Sequence, residues 1–468
     1  MLYAEGLSYA QAEQRMLSES YVSQASQVLE QASELQSQAI KGLGLPKIDL
    51  NLRSYALHSE FDVPLDALKS GLENSLINGA NSKIDEWQGD IPGLSASDVD
   101  QLKGTVGQGI KDGVGLIPNS TELTIKDHVT RPTVSVMMPI YTGGLISSAK
   151  EIARIKAQSS QISAKQQQDL QKFEIIKSYF SVQLQKNLLH AGQFNVQAMQ
   201  KHYNNALKFE REGLISKGQR MQFEVARNNA ERLLTNTQTM YQSNLFQLNN
   251  LLQTSQITEL TTPLFINSSQ SQDLNRLLKT FAEHSNLIRK MQVDTQLADV
   301  NIKAQQAAKK PTVFAFGEYA LEKKENWIVG IAASYNLFSG INKNKNIQAA
   351  ELQKQASELL TSRTKQEIET IIYTAYNEMN NALITQQLLQ SNMQAAQENL
   401  RIQELSFKED MGSATQVIDA QNAMSAIRSE MALNAYKYVM SLATLLQSYG
   451  SIDQFQSYIH QPNTRYIQ

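Results

Sequence analysis

The chain has 468 residues and no cysteine, and its 43 Lys and Arg nearly balance its 45 Asp and Glu. This composition excludes disulfides, thiolate metal ligands and a cysteine nucleophile, and the near-neutral charge argues against nucleic acid as the main partner. No segment approaches the roughly 18 uninterrupted apolar residues that predict a transmembrane helix. The chain begins MLYAEGLSYAQAEQ, without the basic and apolar regions of a signal peptide. Either the protein stays in the cytoplasm or a signal has been removed.

The first strands surround a long polar insertion. Ile48, Leu50 and Leu52 alternate with polar residues, which predicts a strand over about 46–57, and a similar pattern predicts a second over about 131–141. Residues 58–127 between them are rich in Gly, Ser, Asp and Asn, with short helical patches. This composition predicts an elaborated surface loop.

Very long helices are predicted after these strands. No proline occurs between Pro139 and Pro263, nor between Pro311 and Pro462, and apolar residues recur every three or four positions. We predict long helices over 145–253 and 341–450, the longest on the order of 100 Å at 1.5 Å per residue. The plainest interpretation of this pattern alone is a coiled coil or a helical bundle. Residues 254–273 and 451–468 depart from the helical pattern.

A second pair of strands is predicted at about 311–320 and 327–338. The long helices have only a narrow apolar stripe, so they offer little core against which the apolar side of these strands could pack. Strands of about 9–11 residues instead fit an outer-membrane barrel whose apolar face contacts lipid. Four strands cannot close a barrel, so the chain must combine strands with copies of itself, and a trimer supplies twelve. The residues that we expect to face lipid are Val134, Val136, Met138, Ile140, Trp327, Val329, Ile331, Tyr335 and Leu337.

The two halves of the chain repeat one pattern. Gly143 and Gly340, each before a long helical run, lie 197 residues apart (340 − 143), and Gly213 and Gly412, each inside a break in that run, lie 199 apart (412 − 213). We therefore predict one structural repeat at 1–253 and a second at 274–450.

Four motifs carry a family resemblance. They are the strand starts at Leu45–Pro46 and Pro311, the strand-to-helix corners PIYTGG and NLFSG, the turn GSATQVIDAQNAM, and the ending NAYKYVMSLATLLQSYG. In this order and spacing the chain resembles the TolC-type outer-membrane efflux and secretion channels over nearly its whole length except residues 58–127. The resemblance implies a mostly α-helical fold with a membrane β-barrel contribution: a duplicated unit of long antiparallel helices plus two β-hairpins. Three copies would form a 12-stranded barrel and a periplasmic α-helical tunnel.

The resemblance also implies a function and partners. Such a homotrimer is a passive exit duct, not an enzyme, in the bacterial outer membrane, and it extends into the periplasm. It would receive substrates from an inner-membrane transporter through a periplasmic adaptor, in a tripartite efflux or type I secretion system. No cofactor is expected, and the six histidines show no metal-ligand spacing.

The same resemblance places the functional residues at the two breaks in the helices, which would be the periplasmic tips. The residues expected to dock the adaptor are Arg211, Gly213, Leu214, Ser216, Gly412 and Ser413. The residues expected to form the gate are Asp419, Gln416 and Thr415, with Asp419 in an acidic ring that favours cations. The tyrosine and arginine that lock the tip in better-known members are replaced by Glu409 and Ala414. Nearby charged residues could form another lock: Arg211, Glu212, Arg220, Lys408, Glu409 and Asp410.

Alternatives remain at this point. A soluble or secreted coiled-coil structural protein, with the hairpins as a cap, would show similar helical periodicity. Within the channel interpretation, the sequence does not distinguish drug efflux from protein secretion, and residues 58–127 are expected to face outside the cell.

Overall fold

The computed structural model describes residues 6–56, 65–90, 96–116, 128–254, 257–269, 273–322 and 326–467. The chain divides into two compact units. The helical unit comprises Met1–Val28, Ile162–Arg289 and Ser362–Gln468, and the sheet unit comprises Leu29–Gln161 and Lys290–Thr361.

Long helices dominate the described residues. In chain order the helices are α1 (Tyr9–Glu19), α2 (Tyr21–Ala39), α3 (Leu65–Asp90), α4 (Ala96–Gly115), α5 (Leu145–Arg211), α6 (Lys217–Leu251), α7 (Leu274–His284), α8 (Asn286–Ala307), α9 (Lys343–Lys408), α10 (Ala414–Tyr449) and α11 (Phe455–Ile459). The strands are β1 (Lys47–Ala56), β2 (His128–Tyr141), β3 (Leu264–Asn267), β4 (Thr312–Ala320), β5 (Asn326–Ser334) and β6 (Thr464–Ile467).

The helices occur as two pairs of matched length. Helix α5 has 67 residues and α9 has 66, while α6 has 35 and α10 has 36. At 1.5 Å per residue, α5 and α9 each measure on the order of 100 Å. The absence of proline permits this length, since an interior proline removes a backbone hydrogen bond and clashes with the preceding turn. The matched lengths support the predicted duplication.

Within the sheet unit, four antiparallel strands form a sheet in the order β1-β2-β4-β5. Leu50 pairs with Val134, Val134 with Tyr319 and Tyr319 with Trp327. Paired residues in an antiparallel sheet point to the same face, so these pairs and their alternate neighbours define one apolar face. Six of its members, in the edge strands β1 and β5, are 68–73% exposed: Ile48, Leu50, Leu52, Trp327, Val329 and Ile331.

This register collects six of the nine residues predicted to contact lipid, and a seventh, Ile140, lies beside them. Val134, Val136 and Met138 lie on the apolar face in β2, and Ile140 is exposed beside the irregularity between Pro139 and Tyr141. Trp327, Val329 and Ile331 lie on the apolar face in β5. Tyr335 and Leu337 are exposed but lie beyond the strand, because β5 ends at Ser334 and not at the predicted residue 338. Ser334 pairs with Thr312, the first residue of β4, and the preceding residue, Pro311, has no N–H to continue the ladder.

The opposite face of the sheet is covered by the inserted segment, and here the prediction of a loop was wrong. The described part of residues 58–127 forms α3 and α4, an antiparallel helical hairpin. Its buried core consists of Ile84, Val99, Val106, Ile110 and Val114. Glycines of this segment lie inside α3 and α4, and at Gly109 and Gly113 of α4 the missing side chain permits close packing on the sheet. Residues 57–64, 91–95 and 117–127 lie outside the described part of the chain.

The core of the helical unit centres on aromatic rings. Tyr9, Tyr179, Phe180, Phe265 and Phe455 pack with ring centroids 5.3–5.9 Å apart in the contacting pairs. The two-stranded sheet of β3 and β6 brings the segments after the two helix pairs together around this core. The described parts of 254–273 and 451–468, which depart from the helical pattern, therefore contribute to one packed cluster.

Among the described residues, every helix is too short or too polar to cross a membrane.

Candidate functional site: the two helix–turn–helix tips

The first candidate site is the turn that joins α5 to α6. Gly213 adopts a left-handed backbone with φ of 73°, and the Leu214 N–H donates to the Phe209 carbonyl at 2.8 Å. This closes α5 with a hydrogen bond that spans the last turn. Ser216 then caps α6: its Oγ accepts from the Gln219 N–H, and the Gln219 side chain accepts from the Ser216 N–H.

The turn that joins α9 to α10 has the same geometry. Asp410 takes the left-handed position with φ of 57°, and the Met411 N–H donates to the Ser406 carbonyl at 2.8 Å. Ser413 and Gln416 form the matching capping box. Each of these positions lies 197 residues after its counterpart in the first turn, as Ser413 follows Ser216 (413 − 216).

The predicted equivalence of Gly213 with Gly412 was therefore wrong by two residues. Asp410 is the structural counterpart of Gly213, and aspartate is one of the few residues besides glycine that tolerate the left-handed region. Gly412 serves a different purpose. A Cβ there would lie 3.1 Å from the backbone nitrogen of Phe407, so glycine allows the chain to pass close to the end of α9.

Each turn presents one exposed apolar side chain at the equivalent position. Leu214 is 58% exposed and Met411 is 78% exposed. Beneath them the four helices pack through a small apolar cluster that contains Phe223, Val417 and Met424, and the Phe223 and Phe407 rings meet edge to face at 5.4 Å. Leu214 and Met411 thus face solvent next to a packed apolar cluster.

The remaining predicted docking residues surround these two side chains. Arg211, the last residue of α5, and the cap residue Ser216 are exposed; the cap residue Ser413 is exposed, and Gly412 is half-buried. Of the charged residues considered as an alternative lock, Arg220 forms ion pairs, with Glu210 at 3.1 Å and with Glu224. This pairing joins the end of α5 to the start of α6.

The three predicted gate residues lie in the first two turns of α10. Thr415, Gln416 and Asp419 are all exposed. The Gln416 amide oxygen accepts the Ser413 N–H at 2.7 Å, so this side chain is engaged in the cap. Asp419 lies four residues after Thr415, on the same helix face.

A groove of about 760 Å³ lies between α6 and α10 and begins at the tip. On α6 it is lined by Met221, Val225 and Leu233, and on α10 by Thr415 and Ile418. The three α6 side chains are 50–59% exposed. The groove is therefore apolar on the α6 wall, which the sequence analysis did not single out.

His202 is a further tip residue that the sequence analysis missed. Its ring is buried, stacks on Phe223 at 6.1 Å and has its Nε2 3.6 Å from the Glu404 carboxylate. Burial lowers the pKa of the imidazole, and Glu404 opposes that effect. The sequence contained a signal for the burial of His202: it lies three residues after Met199 and four before Ala206, which places all three on the buried face of α5.

Comparison with known protein families finds a match in the second half of the chain. Residues 277–451 match the model of the family described as outer membrane efflux protein. Comparison with curated protein sequences finds no match.

Solved structures extend the likeness over nearly the whole chain. The outer membrane protein VceC from Vibrio cholerae is 12% identical, with a TM-score of 0.73 over 94% of this chain and 96% of VceC. CusC is 13% identical, with a TM-score of 0.73 over 94% of this chain and 92% of CusC. The CmeC outer membrane channel of Campylobacter jejuni is 10% identical, with a TM-score of 0.73 over 96% of this chain and 89% of CmeC.

The predicted resemblance is confirmed: residues 277–451 match the outer membrane efflux protein family, and the fold is that of solved outer-membrane channels. The predicted fold class, long antiparallel helices with two β-hairpins, is confirmed as well. The match to an efflux protein family agrees with the expectation from the sequence that the chain is a transport protein and not an enzyme. The efflux-family match and the channel fold disfavour the alternative of a coiled-coil structural protein.

Proposed function

We propose that the chain is one subunit of a homotrimeric exit duct in the bacterial outer membrane. The observation that carries the proposal is the apolar face of the sheet in the sheet unit. A side that exposes Ile48, Leu50, Trp327, Val329 and Ile331 to water would be costly, at about 25 cal/mol for each Å² of apolar surface. Lipid removes that cost.

Three copies complete the structure that lipid requires. A sheet inside hydrocarbon must leave no edge unpaired, because unpaired backbone groups cost several kcal/mol each. One chain supplies four strands in the order β1-β2-β4-β5, and β1 of one copy would pair with β5 of the next. Three copies give a closed barrel of twelve strands, and their long helices would form the periplasmic tunnel.

The two tips are the proposed docking surface for a periplasmic adaptor. Leu214 and Met411 offer the same exposed apolar contact twice in each chain, so a trimer would present six such contacts around its end. The groove between α6 and α10 continues this surface with Met221, Val225 and Leu233. An amphipathic helix of the adaptor fits a groove of this kind, and the adaptor would connect the duct to an inner-membrane transporter.

The gate is proposed at Thr415, Gln416 and Asp419. If three copies of α10 surround the axis with this face inward, the three Asp419 carboxylates form an acidic ring that favours cations. The exposure of Asp419 on the isolated subunit supports this proposal.

Membrane fractionation tests the duct itself. We expect a trimer that sediments with the outer membrane, needs detergent for extraction and forms conducting pores in planar bilayers. A freely soluble, elongated particle would contradict the proposal.

The ring is tested separately by conductance. Asp419→Asn trimers should lose cation preference, and Asp419→Glu trimers, which keep the charge, should retain it. An unchanged preference in Asp419→Asn would remove the ring and leave the duct in place.

Efflux and protein secretion are separated in cells. Deletion of the gene should increase drug sensitivity if the duct serves efflux, and should remove proteins from the culture medium if it serves secretion.

A further inference from the structure

The hairpin of α3 and α4 occupies the face of the sheet opposite the exposed apolar face. The Thr105 and Thr312 hydroxyls lie 2.8 Å apart and are both buried, and Lys83 Nζ lies 3.4 Å from an Asp49 carboxylate oxygen. Met137 of β2 packs against the apolar core of the hairpin. The hairpin thus covers the face of the sheet that carries both polar and apolar residues, and it leaves the apolar face exposed.

The contacts show that the hairpin lies along the strands. On α3, Gly79 is beside Arg53 and Lys83 is beside Asp49, so α3 runs antiparallel to β1. On α4, Thr105 meets Thr312 at the start of β4. Two turns later, Gly113 lies beside Phe316 in the middle of that strand. The hairpin therefore enters from the end of the sheet where β1 finishes and follows the strands toward their opposite end.

Glycines bring α4 close to the sheet. A Cβ on Gly109 would lie 1.8 Å from the Ala332 Cβ, and a Cβ on Gly113 would lie 3.1 Å from the Phe316 ring. Because no side chain separates the helix from β5 at Gly109, the two backbones approach more closely than other residues allow. The close approach of Gly109 to Ala332 exists only while the hairpin lies in its observed position on the sheet.

The hairpin turns a polar surface away from the sheet. Among the residues of α3 and α4 whose burial is described, the exposed ones are Ser70, Gly71, Asn74, Ser75, Asn78, Ser82, Asp85, Asp100, Gly104, Gln108, Lys111, Asp112 and Gly115. Ion pairs between Lys103 and Asp85, and between Lys111 and Glu73 at 3.3 Å, join the two helices. Such a surface belongs in water and not in lipid, which places the hairpin on the aqueous side of the sheet.

We propose that this hairpin is a plug that closes the outer-membrane end of the duct; the inference rests on the trimeric barrel of the proposed function. Twelve strands about 4.8 Å apart, tilted by about 40°, enclose a backbone diameter of about 24 Å. Each helix is about 10 Å wide, and three copies bring six helices into that space. The six helices have a combined cross-section of about 470 Å², close to the roughly 450 Å² enclosed by the barrel backbone, so substrates pass only when the hairpins leave the sheet.

The contact surface is suited to separation. A cavity of about 380 Å³ remains between the hairpin and the sheet, lined by Asp49, Arg53 and Lys83 among others. The Lys83–Asp49 pair is partly exposed, and an ion pair of that kind contributes little to stability. The hairpin contacts the sheet mainly through α4, beside this cavity, whereas the four strands pair with one another, so the proposed displacement would leave the pairing of the sheet intact.

Cysteine accessibility tests the plug independently of the periplasmic tips. The chain has no cysteine, so Ser135→Cys places a single thiol on the covered face of β2, where Ser135 now accepts a hydrogen bond from Asn51 at 2.9 Å. Intact cells are treated with a bulky, membrane-impermeant maleimide–polyethylene glycol. We expect little labelling in the full chain, and labelling faster by about tenfold or more when residues 65–115 are replaced by a short Gly-Ser linker and the barrel interior is open.

Matched variants keep the test decisive. Asn78→Cys, on the exposed side of α3, should be labelled from outside in the full chain, and Val329→Cys, on the apolar face, should resist labelling with or without the hairpin. If the shortened chain fails to assemble, Gly109→Leu replaces it, because the side chain cannot fit against Ala332, with Gly104→Leu as the control at an open position.

The outcomes separate the two proposals. Equal labelling of Ser135→Cys in the full chain and in either displaced form would overturn the plug while the outer-membrane trimer remains. Absence of an outer-membrane trimer would defeat the proposed function, and the plug would fail with it.

Discussion

At the scale of single residues, the two tips depend on a small number of backbone contacts. Each turn has one left-handed residue and one serine cap, and these positions repeat at an interval of 197 residues. The caps satisfy N–H groups that the first turn of a helix leaves unpaired. The tips are therefore ordered before any partner binds, which reduces the entropy that docking would cost.

Removal of a cap should loosen its tip. Ser413→Ala should destabilise the first turn of α10 by about 1 kcal/mol and increase amide exchange there about fivefold. Ser413→Asp keeps an acceptor and should leave the exchange rate unchanged. Hydrogen–deuterium exchange of the peptide that contains Gln416 measures both variants. Equal exchange in wild type and Ser413→Ala would show that the observed hydrogen bond contributes nothing.

The tip should also lose stability in acid through His202. Burial lowers the pKa of this imidazole in the folded state, so the unfolded state binds more protons between that pKa and the ordinary value of about 6.5. Stability is therefore complete above about pH 6.5 and falls as the pH drops through the folded pKa. The groups that face the ring are Glu404, Lys201 and Gln421.

Exchange measurements at two pH values check this expectation. After correction for intrinsic rates, amides near Phe223 should open more easily at pH 5 than at pH 7.5 in the wild type, and His202→Gln should remove most of that difference. A pH dependence that survives in His202→Gln would assign it to other groups.

At the scale of elements, the glycines of α4 determine how the hairpin meets the sheet. Gly109 lies against Ala332, whereas a Cβ added to Gly104 of the same helix would meet no other atom of the described residues within 4 Å. Two identical substitutions in one helix should therefore have opposite effects.

Gly109→Ala should destabilise the hairpin, because the added methyl group forces overpacking that costs about 1–3 kcal/mol. Gly104→Ala should stabilise it by up to about 1 kcal/mol through helix propensity. Limited proteolysis of detergent-solubilised protein, followed at cleavage sites within α3 and α4, measures the order of the three proteins. Equal rates for the two variants would show that α4 does not contact β5 as described.

At the scale of the whole molecule, the exposed apolar face indicates that one chain is incomplete. The four strands leave β1 and β5 as edges, and edges of this kind pair with other chains unless they are protected. In the proposed trimer, closure by two further copies would pair both edges and place the apolar face against lipid.

Charge on this face should prevent assembly. Val329→Arg should cost about 2–4 kcal/mol in each subunit if the residue lies near the middle of the bilayer, and Val329→Leu should be neutral. The fraction of protein recovered as detergent-extracted trimer from outer membranes measures the effect. Normal assembly of Val329→Arg would place this face away from lipid.

Much of this architecture was available from the sequence, because periodicity is a local property. The proline-free runs predicted α5 and α9, and alternation predicted β1, β2, β4 and most of β5. The parity of Trp327, Val329 and Ile331 also identified their shared face. The end of β5 was missed because it depends on where its partner strand begins, after Pro311.

The tertiary structure decided what local patterns leave open. Residues 96–115 have the glycine-rich composition of a loop, and only the nearby sheet explains Gly109 and Gly113 as helix-packing positions. The left-handed role of Asp410 was likewise hidden, because an aspartate adopts that conformation only when the surrounding turn requires it. The sequence by itself determined the elements and the apolar side of the sheet, since hydrophobic spacing acts over a few residues. The tertiary structure determined what covers the other side, since that depends on shape complementarity between segments that are distant in the chain.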